Sequence, residues 1–278
     1  MDERFGDLRS LLQQRASRFA WEELCQRITA YPSPERERAV LPYVTAHLSS
    51  WEDHRRVLTR AWRADALGRC PPQHLDLVRA IVVPPNDTPG LDAMARIFTR
   101  EFMRLVTHVD LVSMRGIPVT EALLASRTLE HLSVLRVSAP VDAASIGADP
   151  RLDGLVELEV RGTNMPPTDV RRMLTRRSRA HLTSLCLAGN VFRTPHIRAL
   201  EDAHTFLPSL KRLDLSQMDL HDDAVRLLAE LPLLSELRAL FVDTRTLTAH
   251  AAQALATSEH LPEPLRAVWA KRAARLPR

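Results

Sequence analysis

Apolar residues recur along most of this chain in one short pattern, in which apolar and polar positions alternate. In HLTSLCLAGN (181–190), Leu182, Leu185 and Leu187 are followed by Asn190 three positions later. Further copies, complete or partial, start 23 to 29 residues apart, and their first residues are Leu77, Val106, Leu132, Leu155, Leu210 and Leu237. A degenerate closing copy starts at Leu265. Spacing this regular predicts one structural unit repeated along the chain.

Each copy has two halves that differ in periodicity. The first half alternates apolar and polar residues with a period of two, as a short β-strand does. The second half has helical spacing, as in Ala224, Leu227, Leu228 and Leu231. Because one strand and one helix cannot bury their own apolar faces, the copies must stack and share a core. The predicted fold class is α/β, with a curved parallel sheet inside and helices outside.

These residues resemble the leucine-rich-repeat family, and the period is similar to that of its ribonuclease-inhibitor-like branch. The resemblance covers residues 75–270 and is strongest over 152–250, where DDAVRLLAELPLLSELRAL (222–240) has the helix-then-strand leucine pattern of that branch. It implies a leucine-rich-repeat solenoid that binds proteins. It also leaves open a regulatory subunit that inhibits an enzyme, although fold alone does not fix function.

The chain departs from the family pattern in two places. The family's ninth position usually holds an asparagine whose amide links neighbouring units, but here that position is asparagine only at Asn190. The other copies hold Met114, Pro140, Thr163, Met218 and Arg245. In addition, the 23-residue step between Leu132 and Leu155 leaves room in ASIGADPRL (144–152) only for a shorter turn or a single helical turn.

The first 75 residues have a different character, with apolar residues mostly at helical spacing. Ser33 is an expected N-cap, with Pro34 in the first turn, and Ser50 is another, with Asp53 three residues later. We expect residues 1–75 to form an α-helical N-terminal cap, and 76–278 to form a solenoid of six to seven units with a degenerate C-terminal cap. An independent protein-binding helical domain is the alternative interpretation of 1–75.

The charge of the chain raises the question of nucleic acid. The net charge is +4, but 34 acidic residues accompany the basic ones, and only Lys211 and Lys271 are lysines. Arginine has GC-rich codons, so this bias indicates a GC-rich bacterial genome rather than selection for phosphate contact. Nucleic acid is therefore not the expected partner. The alternative that remains is a nucleic-acid-associated protein using the basic run RRMLTRRSR (171–179).

Other features indicate a protein of the reducing cytoplasm. The three cysteines, Cys25, Cys70 and Cys186, are odd in number and far apart, so we expect neither a disulfide framework nor a zinc site. The charged N-terminus MDERFGDLRS lacks the apolar core of a signal peptide, and no apolar run is long enough to cross a membrane.

Catalytic motifs are absent from the sequence. It contains no GxSxG, no HExxH and no Walker loop, and only 8 glycines. We therefore expect no enzymatic activity, no cofactor and no metal. Cys186 is expected on the binding surface, either as a reactive thiol or, in the simpler interpretation, as a small neutral residue.

If the strands stack in register, equivalent positions line up across the inner face of the sheet. These positions carry alternating charges and one aromatic residue, and we expect another protein to bind there. The predicted partner-binding residues are Asp110, Arg136, Glu157, Glu159, Arg161, Arg212, Asp214 and Phe241. The sequence does not identify the partner or the oligomeric state.

Overall fold

Short parallel strands form where the leucine pattern predicts them, and each lies within a copy of the repeat. The computed structural model describes residues 5–60, 62–69, 74–86, 88–114, 116–138, 140–175, 179–243, 245 and 247–276. Within them, the strands are β1 (Ala80–Val82), β2 (His108–Asp110), β3 (Val134–Ser138), β4 (Glu157–Arg161), β5 (Ser184–Cys186), β6 (Arg212–Leu215) and β7 (Ala239–Val242). The positions predicted for these strands are confirmed.

The chain divides into two units. The first consists of Met1–Asp110 with Ser126–Leu132, and the second of Leu111–Ala125 with Ser133–Arg278. The helices of the first unit are α1 (Gly6–Leu12), α2 (Arg18–Ala30), α3 (Ser33–Glu35), α4 (Leu41–His47), α5 (Arg63–Ala66) and α6 (Leu91–Phe98). Those of the second are α7 (Val119–Leu124), α8 (Ala143–Ala148), α9 (Pro167–Thr175), α10 (Thr194–Asp202), α11 (Asp222–Ala229), α12 (Ala249–Ala256) and α13 (Glu263–Ala273).

In the second unit, strands and helices alternate from β3 to α12. Each strand pairs with the next strand, and each helix contacts the next helix. Strands β3 to β7 pair in parallel in chain order, and helices α8 to α13 likewise contact one another in chain order. Leucines on the core-facing side of the strands, such as Leu158, Leu185 and Leu213, are fully buried. The helices contribute Ile197, Leu228 and similar residues to the same core. This is the shared core that single units could not form alone.

The shortest repeat contains more helix than its length suggested. Residues 144–152 were expected to form a turn or a single helical turn, but α8 has six residues and is capped by the Asp142 side chain, which accepts from Ser145 N at 3.0 Å. Gly147 lets α8 lie close to α9. A Cβ atom there would lie 2.8 Å from Met173 Cα, so glycine allows the backbones of α8 and α9 to pack closely.

The first unit has a core of tryptophans among its helices. The Trp21 ring centroid lies 6.2 Å from that of Trp51 and 5.7 Å from that of Trp62. Each indole nitrogen donates a hydrogen bond: Trp21 to Val57 O, Trp51 to Leu12 O and Trp62 to Thr29 Oγ1. Large aromatic surfaces are therefore buried without leaving their polar atoms unsatisfied. Beside this core, β1 pairs in parallel with β2.

Two local predictions are wrong. Ser33 is the first residue of α3 rather than its N-cap, which is Pro32. The helix expected after Ser50 is replaced by a single 3-10 turn, Asp53–Arg55. The following backbone is used for β-pairing, because Leu58 N donates to Ala80 O.

The degenerate closing copy at Leu265 is helical. Residues from Glu263 onward form α13, which Pro262 precedes and in which Pro264 occupies the first turn. Proline at that position favours a helix start, because its missing N–H would have no partner there.

Candidate protein-binding face

The five strands of the second unit place two rows of side chains on the face opposite the leucine core. Strand register aligns the first row as Arg136, Glu159, Cys186, Asp214 and Phe241. It aligns the second row as Glu157, Ser184, Arg212 and Ala239. We call these nine residues, together with Arg161, the polar sheet face. The in-register stacking predicted for these strands is confirmed.

One end of the polar sheet face is a network of four charges. Arg136 Nε donates to Glu157 Oε1 at 2.8 Å and lies 3.8 Å from Glu159 Oε2, while Arg161 Nε donates to Glu159 Oε1. Burial by itself would lower the pKa of Arg161. The hydrogen bond and charge of Glu159 outweigh it and raise that pKa above its ordinary value. Charge-assisted bonds of this kind hold both guanidinium groups in fixed positions.

Cys186 lies at the centre of the first row and is buried. Burial raises the pKa of its thiol, and the neighbouring charges of Glu159 and Asp214 raise it further. Because the thiolate is the nucleophilic form, a raised pKa makes Cys186 a poor nucleophile. These surroundings favour the interpretation of Cys186 as a small neutral residue in the face.

At the other end, a guanidinium group is stacked on an aromatic ring. The Cζ atom of Arg212 lies 4.4 Å from the centroid of the Phe241 ring. Its Nη2 also lies 3.4 Å from Asp214 Oδ2. Asp214 is fixed in turn, since Oδ1 accepts from Ser216 Oγ at 2.6 Å and from Ser216 N at 3.0 Å. Phe241 is one of the exposed large apolar residues of the chain, so this end combines an exposed ring with an oriented cation.

Arginines face the solvent on this surface, and carboxylates lie beneath them. The exposed fractions of the side chains are 39% for Arg136, 31% for Arg161 and 49% for Arg212. Those of Glu159 and Asp214 are 11% each, and that of Glu157 is 26%. The charges compensate one another overall, but the groups that an approaching molecule would meet first are guanidiniums.

The structure brings seven of the eight predicted site residues together on this face. The eighth, Asp110, ends β2 and belongs to the first unit, where its carbonyl accepts from Val83 N at 3.0 Å. Sequence reasoning did not single out Ser216, whose hydroxyl and amide hold Asp214. Its position two residues after Asp214, directly after the end of β6, was the available signal, because side chains two apart along an extended segment share a face.

Among the described residues of the basic run 171–179, the exposed arginines each lie near a carboxylate, and one arginine is buried. Arg171 lies 3.2 Å from Asp202, and Arg172 lies 3.8 Å from Asp169. Arg179 is fully buried, and its two terminal nitrogens donate to Leu152 O and Ile146 O at 2.6 Å each. Residues 176–178 of the run lie outside the described residues. Arg179 therefore has a structural role, which sequence reasoning missed because charged residues are mostly exposed.

The described part of the chain has neither a metal-binding cluster nor a membrane-spanning helix. No group of three or more His, Cys, Asp or Glu side chains is arranged there to hold a metal ion. None of the helices described is both long and apolar enough to cross a lipid bilayer.

Comparison with known proteins does not assign the chain to a family. No protein-family model matches the sequence, and no curated protein is detectably similar to it. One similar solved structure is the LRR ectodomain of the plant membrane receptor kinase GASSHO1/SCHENGEN3 from Arabidopsis thaliana, in complex with CASPARIAN STRIP INTEGRITY FACTOR 2. The two share 13% identity over 65% of this chain and 32% of that one, with a TM-score of 0.23. This chain thus spans about a third of that ectodomain, and a likeness of this degree supports no argument.

Proposed function

We propose that this protein is a non-enzymatic recognition module that binds another protein through the polar sheet face. The observation that carries the proposal is the outward position of Arg136, Arg161 and Arg212 above their own carboxylates. Since those carboxylates already hold the guanidiniums, binding a partner costs little side-chain entropy. Planar guanidiniums bind carboxylates through paired hydrogen bonds and stack on aromatic rings. The partner that fits is a protein surface rich in acidic and aromatic side chains.

The Arg212–Phe241 pair is the expected centre of binding. Arginine and aromatic residues are enriched among the residues that dominate binding energy, and Phe241 offers apolar area beside an oriented cation. The Arg136–Arg161 end would instead contribute steering and specificity, because its charges are largely satisfied within the face.

We also infer that the strand–helix units are leucine-rich repeats of the ribonuclease-inhibitor-like type in a cytoplasmic, bacterial protein. The first part is supported by the strand positions and by the buried side chain of Asn190, which accepts from Thr163 N and donates to Val160 O in the preceding copy. The arginine-rich composition and the three widely spaced cysteines support the second. An inhibitory role toward an enzyme is supported by the resemblance alone, and no feature of the polar sheet face favours it.

Site-specific photo-crosslinking tests the proposal. p-Benzoylphenylalanine replaces Phe241 in the full chain, which is irradiated in lysate of the source cells with and without nuclease treatment. The products are identified by mass spectrometry. The same cross-linker at exposed Phe19 reports non-specific capture. We expect a protein adduct from position 241 that is absent from position 19.

A charge-reversal pair makes the result specific. Arg212→Glu should weaken the interaction with the captured protein at least about tenfold, or about 1.4 kcal/mol. Arg226→Glu changes the same charge on α11, where Arg226 is half-exposed and pairs with Asp223, and should leave affinity within about twofold. Equal affinities of the two variants would contradict the proposal. So would an adduct from position 241 that consists of nucleic acid and disappears with nuclease.

A further inference from the structure

The first unit contains a cleft of about 530 Å³. Its walls come from segments far apart in sequence: the beginning of α2, the turn Asp53–Arg55, the extended residues 57–60, the beginning of α5 and the end of β1. Clefts of a few hundred cubic ångströms with mixed polar and apolar walls are the usual size of small-molecule sites.

The polar part of this cleft is strongly cationic. Its described lining includes four arginines, Arg18, Arg55, Arg60 and Arg63, and also His54. Glu22 is the single carboxylate among those lining residues, and it accepts from Arg18 Nε at 2.9 Å. Arg55 Nε makes no hydrogen bond to a described residue, and it forms an ion pair at 3.6 Å with Glu52, which is not among the lining residues. Among its described lining residues, cationic side chains therefore outnumber anionic ones.

Within HRRVLTRAWR (54–63), the neighbouring residues Arg55 and Arg56 have different surroundings. Arg56 is buried away from the cleft and donates from Nε to Leu77 O at 2.9 Å. Burial, and secondly the charge of Arg79, lower the pKa of Arg56 to about 10. Arg55, one residue earlier, lines the cleft and is partly exposed. Arg56 thus supports the structure, while Arg55 is left facing the cleft.

The remaining wall is apolar. Val57, Val82 and Pro84 line the cleft and are half-buried. Trp21 lies beneath them, and its indole nitrogen is already used in donating to Val57 O at 2.7 Å. This wall therefore offers mainly carbon surface, next to a cationic one.

We propose that this cleft binds a small organic anion with an apolar body. The anionic head, a carboxylate, sulfonate or phosphate, is held by Arg55, Arg60 and Arg63 through charge-assisted hydrogen bonds. The apolar body lies on Val57, Val82 and Pro84, where burial of carbon surface contributes the larger share of affinity. This proposal rests on the first unit alone and does not depend on the polar sheet face.

A pair of fluorescent probes tests both parts of this proposal on the full chain. 8-Anilinonaphthalene-1-sulfonate has an apolar body and one negative charge, whereas N-phenyl-1-naphthylamine has a similar body and none. We expect saturable binding of the anionic probe with one dominant site. The double substitution Arg55→Gln with Arg60→Gln should raise the Kd of the anionic probe at least about fivefold. It should change the Kd of the neutral probe less than twofold. The matched control, Arg193→Gln with Arg226→Gln, loses the same charge outside the cleft and should change neither.

Several outcomes would overturn the proposal. An anionic-probe Kd equal in the cleft variant and the control would show that the arginines do not hold the probe. A parallel loss of both probes would show that charge is not recognised. Because the double variant could fail to fold, the wild-type protein supplies an independent measurement: raising the salt concentration should weaken the anionic probe more than the neutral one. A salt-independent Kd for the anionic probe would also overturn it.

Discussion

The side-chain oxygen of Asn190 accepts two hydrogen bonds from Thr163, one from the backbone amide at 2.6 Å and one from the hydroxyl at 2.7 Å. Its side-chain nitrogen donates to Val160 O at 2.8 Å and to Leu187 O at 2.7 Å. Asn190 is itself buried. One amide thus satisfies polar groups from two adjacent repeats, which explains why an asparagine is present here although the other copies lack one.

Replacing Asn190 with alanine should destabilise the protein by about 3 kcal/mol, because it removes the hydrogen bonds to the half-buried amide of Thr163 and to the buried carbonyls of Val160 and Leu187. Chemical denaturation of the purified variant measures this free energy of unfolding. The control is Gln253→Ala on the exposed side of α12, where a change below about 0.5 kcal/mol is expected. A loss at Asn190 no larger than the control would mean that water replaces the amide.

The buried Arg179 should be far less tolerant of substitution than its neighbours in the basic run. Arg179→Ala removes the donors to Ile146 O and Leu152 O and should cost about 3–5 kcal/mol. Arg172→Ala, which removes a 65% exposed side chain, should cost less than about 1 kcal/mol. Thermal and urea unfolding of the two variants make the comparison. Equal costs would show that the whole run is only a solvated surface.

Gly147 should not accept even a methyl group. Gly147→Ala would push a Cβ atom against the backbone of Arg172 and Met173, and overpacking of this kind costs about 1–3 kcal/mol. Gly90→Ala is the matched control, because a Cβ there has nothing within 4 Å. Unfolding curves should separate the two variants. If Gly147→Ala were as stable as the control, α8 and α9 could move apart without loss.

Asp149 should make stability depend on acidity. Burial by itself would raise the pKa of Asp149, but hydrogen bonds from Arg151 and the charges of Arg151 and Arg179 outweigh it and lower that pKa below 3.8. The unfolded state therefore takes up this proton first as the pH falls. The contribution of Asp149 is fully present well above about pH 4 and is lost as the pH falls through its folded-state pKa.

Measuring unfolding free energy from pH 7 to pH 2.5 for the wild type and Asp149→Asn checks this dependence. The difference between the two proteins should be constant near neutral pH and shrink below about pH 4. If the difference in unfolding free energy grew as the pH fell, the pKa of Asp149 would be raised in the folded state and not lowered.

The sequence predicts the strands well because their pattern reflects a simple physical requirement. Residues such as Leu185 and Leu187 must point to the same core, so a period of two marks each strand, and the repeat step aligns them. The paired positions of Arg136 with Glu159, and of Asp214 with Phe241, follow from that register. What periodicity could not show is that the carboxylates lie below the arginines, since exposure depends on side-chain conformation.

The remaining differences come from contacts between residues distant in sequence. The segment after Ser50 has helix-starting residues, yet its backbone pairs with Ala80. Arg179 has the composition of a surface residue, yet it satisfies carbonyls from the preceding repeat. The arginines of the cleft lie on α2, α5 and the segments between them, so no local pattern places them together.

The order of the strands has a consequence for how the polar sheet face comes into being. Each pairing from β3 to β7 joins a strand to the next one along the chain, so loops of similar, modest length are closed in turn. Such local topology favours rapid folding that spreads from any adjacent pair. During synthesis the residues emerge in the same order. The Arg136 end of the face can therefore assemble while the ribosome is still translating β7, and Phe241 completes the surface last.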